Sequence, residues 1–296
     1  MTGFSDVPRA TAPAPAAPTP LRERRDRIWL LATPGLGFLA VVYALPLVLL
    51  LLKSFEIDGA FSVAEYRVFF GDSYNLSVLW RTVRVALLTT ALALAIAYPT
   101  AIVMARARGA WLSVFLVAMV LPMSVGVVVK AFAWSILFRT RGVLNDALIS
   151  LGIVDVPVRM LFTETALVIG AANVFLPFMV LPIYAVLRQT DSRLPEAAAT
   201  LGATPVFRFV HVTLPLSLPG VVAGCAFVFS LAISMYVIPT LIVGERQQTL
   251  SMLIARSFLY LRNEALGATM SSILLLIAVS VVMGSSWLAA RLGGRR

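Results

Sequence analysis

The residues with the clearest chemical potential sit in one polar interruption of an otherwise apolar chain, RQTDSRLPEAAATLGATPVFRFVHVTLPLSLPG at 188–220. The segment holds no nucleophile beside a base and no carboxylate pair, so its chemistry is that of a contact surface rather than a reaction. Asp191 or Ser192 can cap a helix, Pro195 is tolerated in its first turn, and Glu196 complements the positive end of its dipole. Ala197, Ala198 and Ala199 propagate that helix at low entropic cost, and Gly202 can close it in the left-handed conformation. Thr204 before Pro205 is a second cap with proline at the first helical position, and Phe207, Val210 and Leu214 follow at helical spacing. Two short helices joined at a glycine are expected. A small alanine face beside apolar residues outside the membrane marks a docking element; the other reading is a helix lying on its own bundle or on lipid.

Within the apolar segments, Lys130 is the one charge away from a segment end. Either it faces a cavity or partner, or its long stem snorkels to the outer surface. A lysine does not itself bind a cation, so its role is structural or gating. Phe132, Trp134, Asn173, Phe175, Ser234 and Tyr236 are the aromatic and polar residues that can line a gate or a wet pathway, or pack and bond between helices. Cys225, the single cysteine, lies in an apolar run and reads as a small packing residue, while His211 reads as a surface residue of the polar segment. No Asp or Glu falls inside an apolar segment, so a proton relay or coupled-ion site has no obvious carrier. The sequence also has no phosphate-binding GxxxxGK[ST] motif and no metal-ligand cluster.

The elements that must position these residues are helices built for lipid. Of 296 residues, 60% are hydrophobic and 13% charged, against roughly half and about a quarter in soluble domains. The net charge of +10 comes from basic residues clustered at the ends of apolar runs, where they anchor helices and set topology rather than bind nucleic acid. Six runs, 28–52, 83–104, 111–138, 165–187, 221–243 and 266–290, are each near the roughly 20 residues that cross a bilayer. Prolines 46, 99, 122, 177, 182 and 239 mark expected kinks. Ahead of the first run, residues 1–27 hold a Pro/Ala-rich stretch and Arg22, Arg24, Arg25 and Arg27, read as a flexible cytoplasmic tail. With both termini cytoplasmic, 13 Lys and Arg fall inside and 10 outside, and the connections at 53–82, 139–164 and 244–265 face outward.

Glu196, Ala197 and Ala198, then Gly202, then Val212, Leu214 and Pro215 resemble the EAA motif of permease subunits of ABC importers, with three residues between Ala198 and Gly202 and nine between Gly202 and Val212. Val212 stands where isoleucine is commoner. The motif also falls in the place the family puts it, an inner loop between the fourth and fifth spans. AYPTAIVMAR at 97–106, VVVKAFAWSILF at 127–138, RGVLNDALISLGI at 141–153, LPFMVLPIYAVLR at 176–188 and ALGATMS at 265–271 extend the resemblance to the spermidine/putrescine-type permeases. In those permeases the position of Lys130 is commonly arginine and that of Asn173 often tyrosine or histidine.

The resemblance implies an all-α integral membrane fold, a six-transmembrane-helix bundle of the type I ABC importer permease kind with cytoplasmic coupling helices. The permease domain is 28–296 and its coupling loop 188–220. Glu196, Ala197, Ala198, Gly202, Ala203, Phe207, Leu214 and Pro215 are then the residues that meet a separate ATPase. The implied partners are a second, similar permease subunit, two ATPase subunits that bind the ATP and Mg, an extracytoplasmic solute-binding protein and membrane lipid. No cofactor is expected in this chain, and its place is the bacterial inner membrane. The implied cargo is a polyamine or related small organic solute. Two other classes are weighed against this: an ion-coupled secondary carrier, disfavoured by the missing intramembrane carboxylates, and a non-transporting scaffold or receptor.

Overall fold

A computed structural model describes residues 28–57, 60–191 and 193–293. The expected tail at 1–27, the cap at Ser192 and the terminal arginines at 295 and 296 lie outside them. The chain divides into two compact units between Leu49 and Leu50. The first unit carries α1 (Ile28–Leu39), a π turn (Ala40–Ala44) and the start of α2 (Leu45–Lys53).

The second unit is a helical bundle. After a short hairpin of β1 (Glu56–Ile57) and β2 (Ala60–Phe61) come α3 (Ala64–Gly71) and α4 (Ser73–Arg106). A bent pair follows, α5 (Ala110–Ser124) and α6 (Val127–Leu137), then α7 (Val143–Ser150) and α8 (Glu164–Gln189). Next are α9 (Arg193–Thr200), α10 (Pro205–Arg208), a second π turn (Phe209–Thr213) and α11 (Leu214–Ser234). The chain ends with α12 (Val237–Ile242), α13 (Leu250–Leu259) and α14 (Glu264–Gly293). Among the described residues five helical segments are long and apolar enough to cross a bilayer, and a sixth is obtained when α5 and α6 count as one span. The fold is the all-α membrane bundle the sequence implies.

Small residues set how closely the spans approach. Lipid supplies no hydrophobic drive between helices, so close van der Waals packing must hold them. On α4, Ala86, Ala93, Ala97 and Ala101 are fully buried along one face, toward α8 and α11. A Cβ at Gly224 would lie 2.8 Å from Met179 Sδ, and one at Gly220 would lie 2.8 Å from the Pro182 carbonyl oxygen. The backbones of α11 and α8 therefore meet where only glycine fits. α8 is the central helix, with 61% of its apolar window buried, more than in any other span.

Four departures from the sequence expectations have local causes. The run at 111–138 is not one straight span: α5 and α6 meet at 98°. Pro122 has no N–H to continue the ladder, and Val125 and Gly126 are extended before α6 restarts. The second span starts at Ser73, ten residues before 83, because Asp72 accepts from Tyr74 N at 2.9 Å and two arginines further along the helix find partners. Arg84 Nε donates to Glu164 Oε1 at 2.9 Å, and Arg81 Nη1 donates to the Gln248 carbonyl at 3.3 Å. The run at 221–243 breaks instead of continuing: α11 stops at Ser234, Met235 is extended, and Pro239 lies in the separate α12. The stretch 244–265, expected as a connection, holds the helix α13, docked where Leu250 N donates to Thr82 Oγ1 at 2.8 Å.

Each π turn ends two residues before a proline. Pro46 follows Ala40–Ala44 and Pro215 follows Phe209–Thr213. The wider turn relieves the clash between a proline ring and the carbonyl four residues back, so each helix carries on without breaking.

Candidate functional site

The coupling segment folds as its residues dictate. Asp191 Oδ1 accepts from Arg193 N at 2.9 Å at the start of α9, and Glu196 sits in the first turn. Gly202 closes α9 at φ +83°, where its N–H donates to the Ala199 carbonyl at 3.0 Å and Ala203 N donates to the Ala198 carbonyl at 3.0 Å. Thr204 Oγ1 then accepts from Phe207 N at 3.3 Å, with Pro205 in the first helical position. The second helix is not short. It passes through the π turn straight into α11, so the whole run Pro205–Ser234 is one span.

What this segment presents is apolar and open. Leu201 is 88% exposed and Val206 72%, with Phe207, Val210 and Leu194 also exposed. Glu196, Ala197 and Pro215 are exposed, and Ala198, Ala203 and Leu214 half-buried. Rings of Phe207 and His211 stack with centroids 4.1 Å apart, which fixes His211 to its own helix. Beneath, Tyr98 on α4 meets Phe209 edge-on at 5.8 Å, and its hydroxyl lies 2.8 Å from Ser217 Oγ on α11. These contacts seat the second coupling helix on the bundle. The sequence reading passed over Tyr98, whose only signal is a polar hydroxyl in the apolar stretch AYPTAIVMAR.

A cavity of about 580 Å³ opens beside α9, lined by Arg106, Arg108, Arg188, Asp191, Glu196 and Arg208 together with the apolar Ile102, Leu187 and Leu216. The arginines were counted from the sequence only as topology markers; their convergence depends on where three helices end.

The pathway candidates fall into two groups. Trp134 on α6 donates through Nε1 to Asn173 Oδ1 on α8 at 3.2 Å, beside Gly170, where a Cβ would come within 2.8 Å of Ile242 Cδ1. Phe132 and Tyr236 are exposed and Lys130 half-buried. Ser234 turns its hydroxyl back to the Ser230 carbonyl at 2.8 Å, and Phe175 is buried in the core. Only Trp134 and Asn173 are joined by a hydrogen bond. They tie α6, beyond the bend, to the central helix.

Residues 97–294 match the family described as binding-protein-dependent transport system inner membrane component. The chain is 33% identical to the spermidine/putrescine transport system permease protein PotB of Haemophilus influenzae, over 71% of this chain and 73% of that one. It is 32% identical to the inner membrane ABC transporter permease protein YdcU of Escherichia coli, over 73% and 75%. Among solved structures, it is similar in fold to a chain of a bacterial ABC transporter involved in alginate import, with a TM-score of 0.69 at 17% identity, covering 90% of this chain and 96% of that one. A chain of the MetNI methionine ABC transporter in an inward-facing conformation gives a TM-score of 0.53 at 16% identity, over 75% and 99%.

Proposed function

We propose a role for this chain on one premise: it belongs to the family of binding-protein-dependent transport system inner membrane components. It is a multi-pass permease subunit of an ABC importer, and its cargo is a polyamine of the spermidine or putrescine kind, as the names of its PotB relatives state for those proteins. The ion-coupled carrier has no support from this family.

One such bundle forms half of a translocation pathway, and a similar but different permease chain supplies the other half. Two ATPase subunits bind the ATP and Mg, and a solute-binding protein delivers the polyamine from outside. The termini lie in the cytoplasm, where the coupling segment meets the ATPase. The observation that carries this reading is the exposed apolar face at Leu201, Val206, Phe207 and Val210, held by the Gly202 turn beside Glu196. An apolar face that the chain itself leaves uncovered at the end of a span marks a contact surface, and in this reading the ATPase covers it. ATP binding brings the two ATPases together and biases a two-state bundle through that contact, which transport requires.

The test is ATPase activity of the reconstituted complex. Binding protein loaded with spermidine or putrescine is expected to stimulate hydrolysis, and empty binding protein is not. Stimulation by a different loaded ligand would replace the substrate and keep the machine; a complex with no ATPase partner would overturn the reading.

A further inference from the structure

The cavity beside α9 is more than a by-product of helix ends. Arg106 ends α4 and Arg108 follows it, Arg188 lies in the last turn of α8 and Arg208 in α10, all on one cavity of about 580 Å³ that also holds Asp191 and Glu196. Among the described residues the ion pairs are Lys53 with Glu264 and Arg84 with Glu164, so none of these four arginines is paired with a carboxylate. Arg208 Nε is buried and has no hydrogen-bond partner. Four guanidinium groups against two carboxylates leave an excess of positive charge. The helix ends do not remove it, because α4 and α8 arrive by their carboxyl ends and α9 and α10 by their amino turns, and the partial charges oppose one another. Part of the lining is apolar, at Ile102, Leu187 and Leu216.

We propose that this cavity binds the phosphate group of an anion and that the bound anion clamps the coupling segment to the spans. Guanidinium forks match phosphate oxygens two at a time, and the volume suits a phosphate with its attached alcohol better than a bare ion. An anionic phospholipid headgroup and a soluble phosphate share this chemistry; the apolar part of the lining and the position at the span ends favour the lipid. Arg106 and Arg188 hold the anion from the bundle and Arg208 from the coupling helix, so occupancy joins the two. The proposal rests on the reading above that this end faces the cytoplasm.

The test uses the whole transporter complex in nanodiscs of phosphatidylcholine with and without phosphatidylglycerol, read by native mass spectrometry for retained lipid. Wild type is expected to retain phosphatidylglycerol several-fold over phosphatidylcholine, the pair R106Q and R188Q to lose the preference, and R106K with R188K to keep most of it. In phosphatidylcholine discs, inorganic phosphate that raises the melting temperature of wild type but not of the glutamine pair identifies a soluble anion as the source and supports the site. No preference and no phosphate effect in wild type, effects that survive in the glutamine pair, or binding seen only once the ATPase is stripped away would each overturn the proposal. None of these readouts needs transport, so polyamine-stimulated ATPase activity in the same discs tests the function separately.

Discussion

Gly202 is the residue on which the turn closing α9 depends. At φ +83° the left-handed region costs a side chain about 1–3 kcal/mol. The open space around it means that strain, not a clash, is the penalty. Gly202→Val is therefore expected to leave the chain inserted in the membrane and to depress ATP-coupled uptake at least several-fold. Glu196→Lys, which puts a positive charge on the positive end of α9, is expected to act the same way. Uptake assays normalised to membrane-inserted protein check both, and wild-type rates in both would remove the coupling assignment. Tyr98→Phe is a milder case. It keeps the edge contact with Phe209 and removes the bond to Ser217, so a loss of about 0.5–1.5 kcal/mol is expected in thermal unfolding of the complex. At Trp134, replacement by Phe deletes the donor to Asn173 while keeping an aromatic ring. Altered uptake with unchanged stability would place that pair on the pathway; altered stability alone would make it a strut.

Among the elements, the joint of α8 and α11 is the least tolerant. Gly220→Val would drive a side chain into the Pro182 carbonyl and the Ile183 backbone, neither of which can swing aside, and overpacking of this kind costs about 1–3 kcal/mol. Lower yield and a reduced melting temperature are expected, whereas Gly284→Ala, with open space around it, should change neither. The sequence displayed the apolar spans well because each needs a long run of residues that lipid accepts. It displayed the coupling turn well because capping residues, alanines and glycine act within a few positions of one another. What it hid were features settled by partners far along the chain. The polar stretch from Ser73 to Arg81 hid the start of α4, yet Gln248 satisfies Arg81 there as Glu164 satisfies Arg84. The bend after Ser124 could not be told from the prolines alone, since Pro99, Pro177 and Pro182 sit in helices that run on while Pro122 precedes a break. The arginine cavity was invisible for the same reason: its four charges come from three separated stretches of chain.

For the molecule as a whole, the run Pro205–Ser234 is a single rod. At 1.5 Å per residue it is about 45 Å long. The glycines at 220 and 224 bring it closest to α8, while α4 and α14 pack along it too, so in the coupling reading the α8 contact is the pivot. The arm on the docking side is about 26 Å and the far arm about 18 Å. If the rod rocks there, Phe207, about 23 Å from the pivot, and Ser234, about 18 Å from it, move in opposite directions, Ser234 through roughly four-fifths of the distance. Cross-linking the rod to α8 at the fulcrum should spare that rocking, while cross-links placed near either end should stop transport. The π turn at Phe209–Thr213 and Pro219 are the places where the lever's hydrogen-bond ladder is interrupted, and how stiffly they hold sets how much of a stroke passes along it.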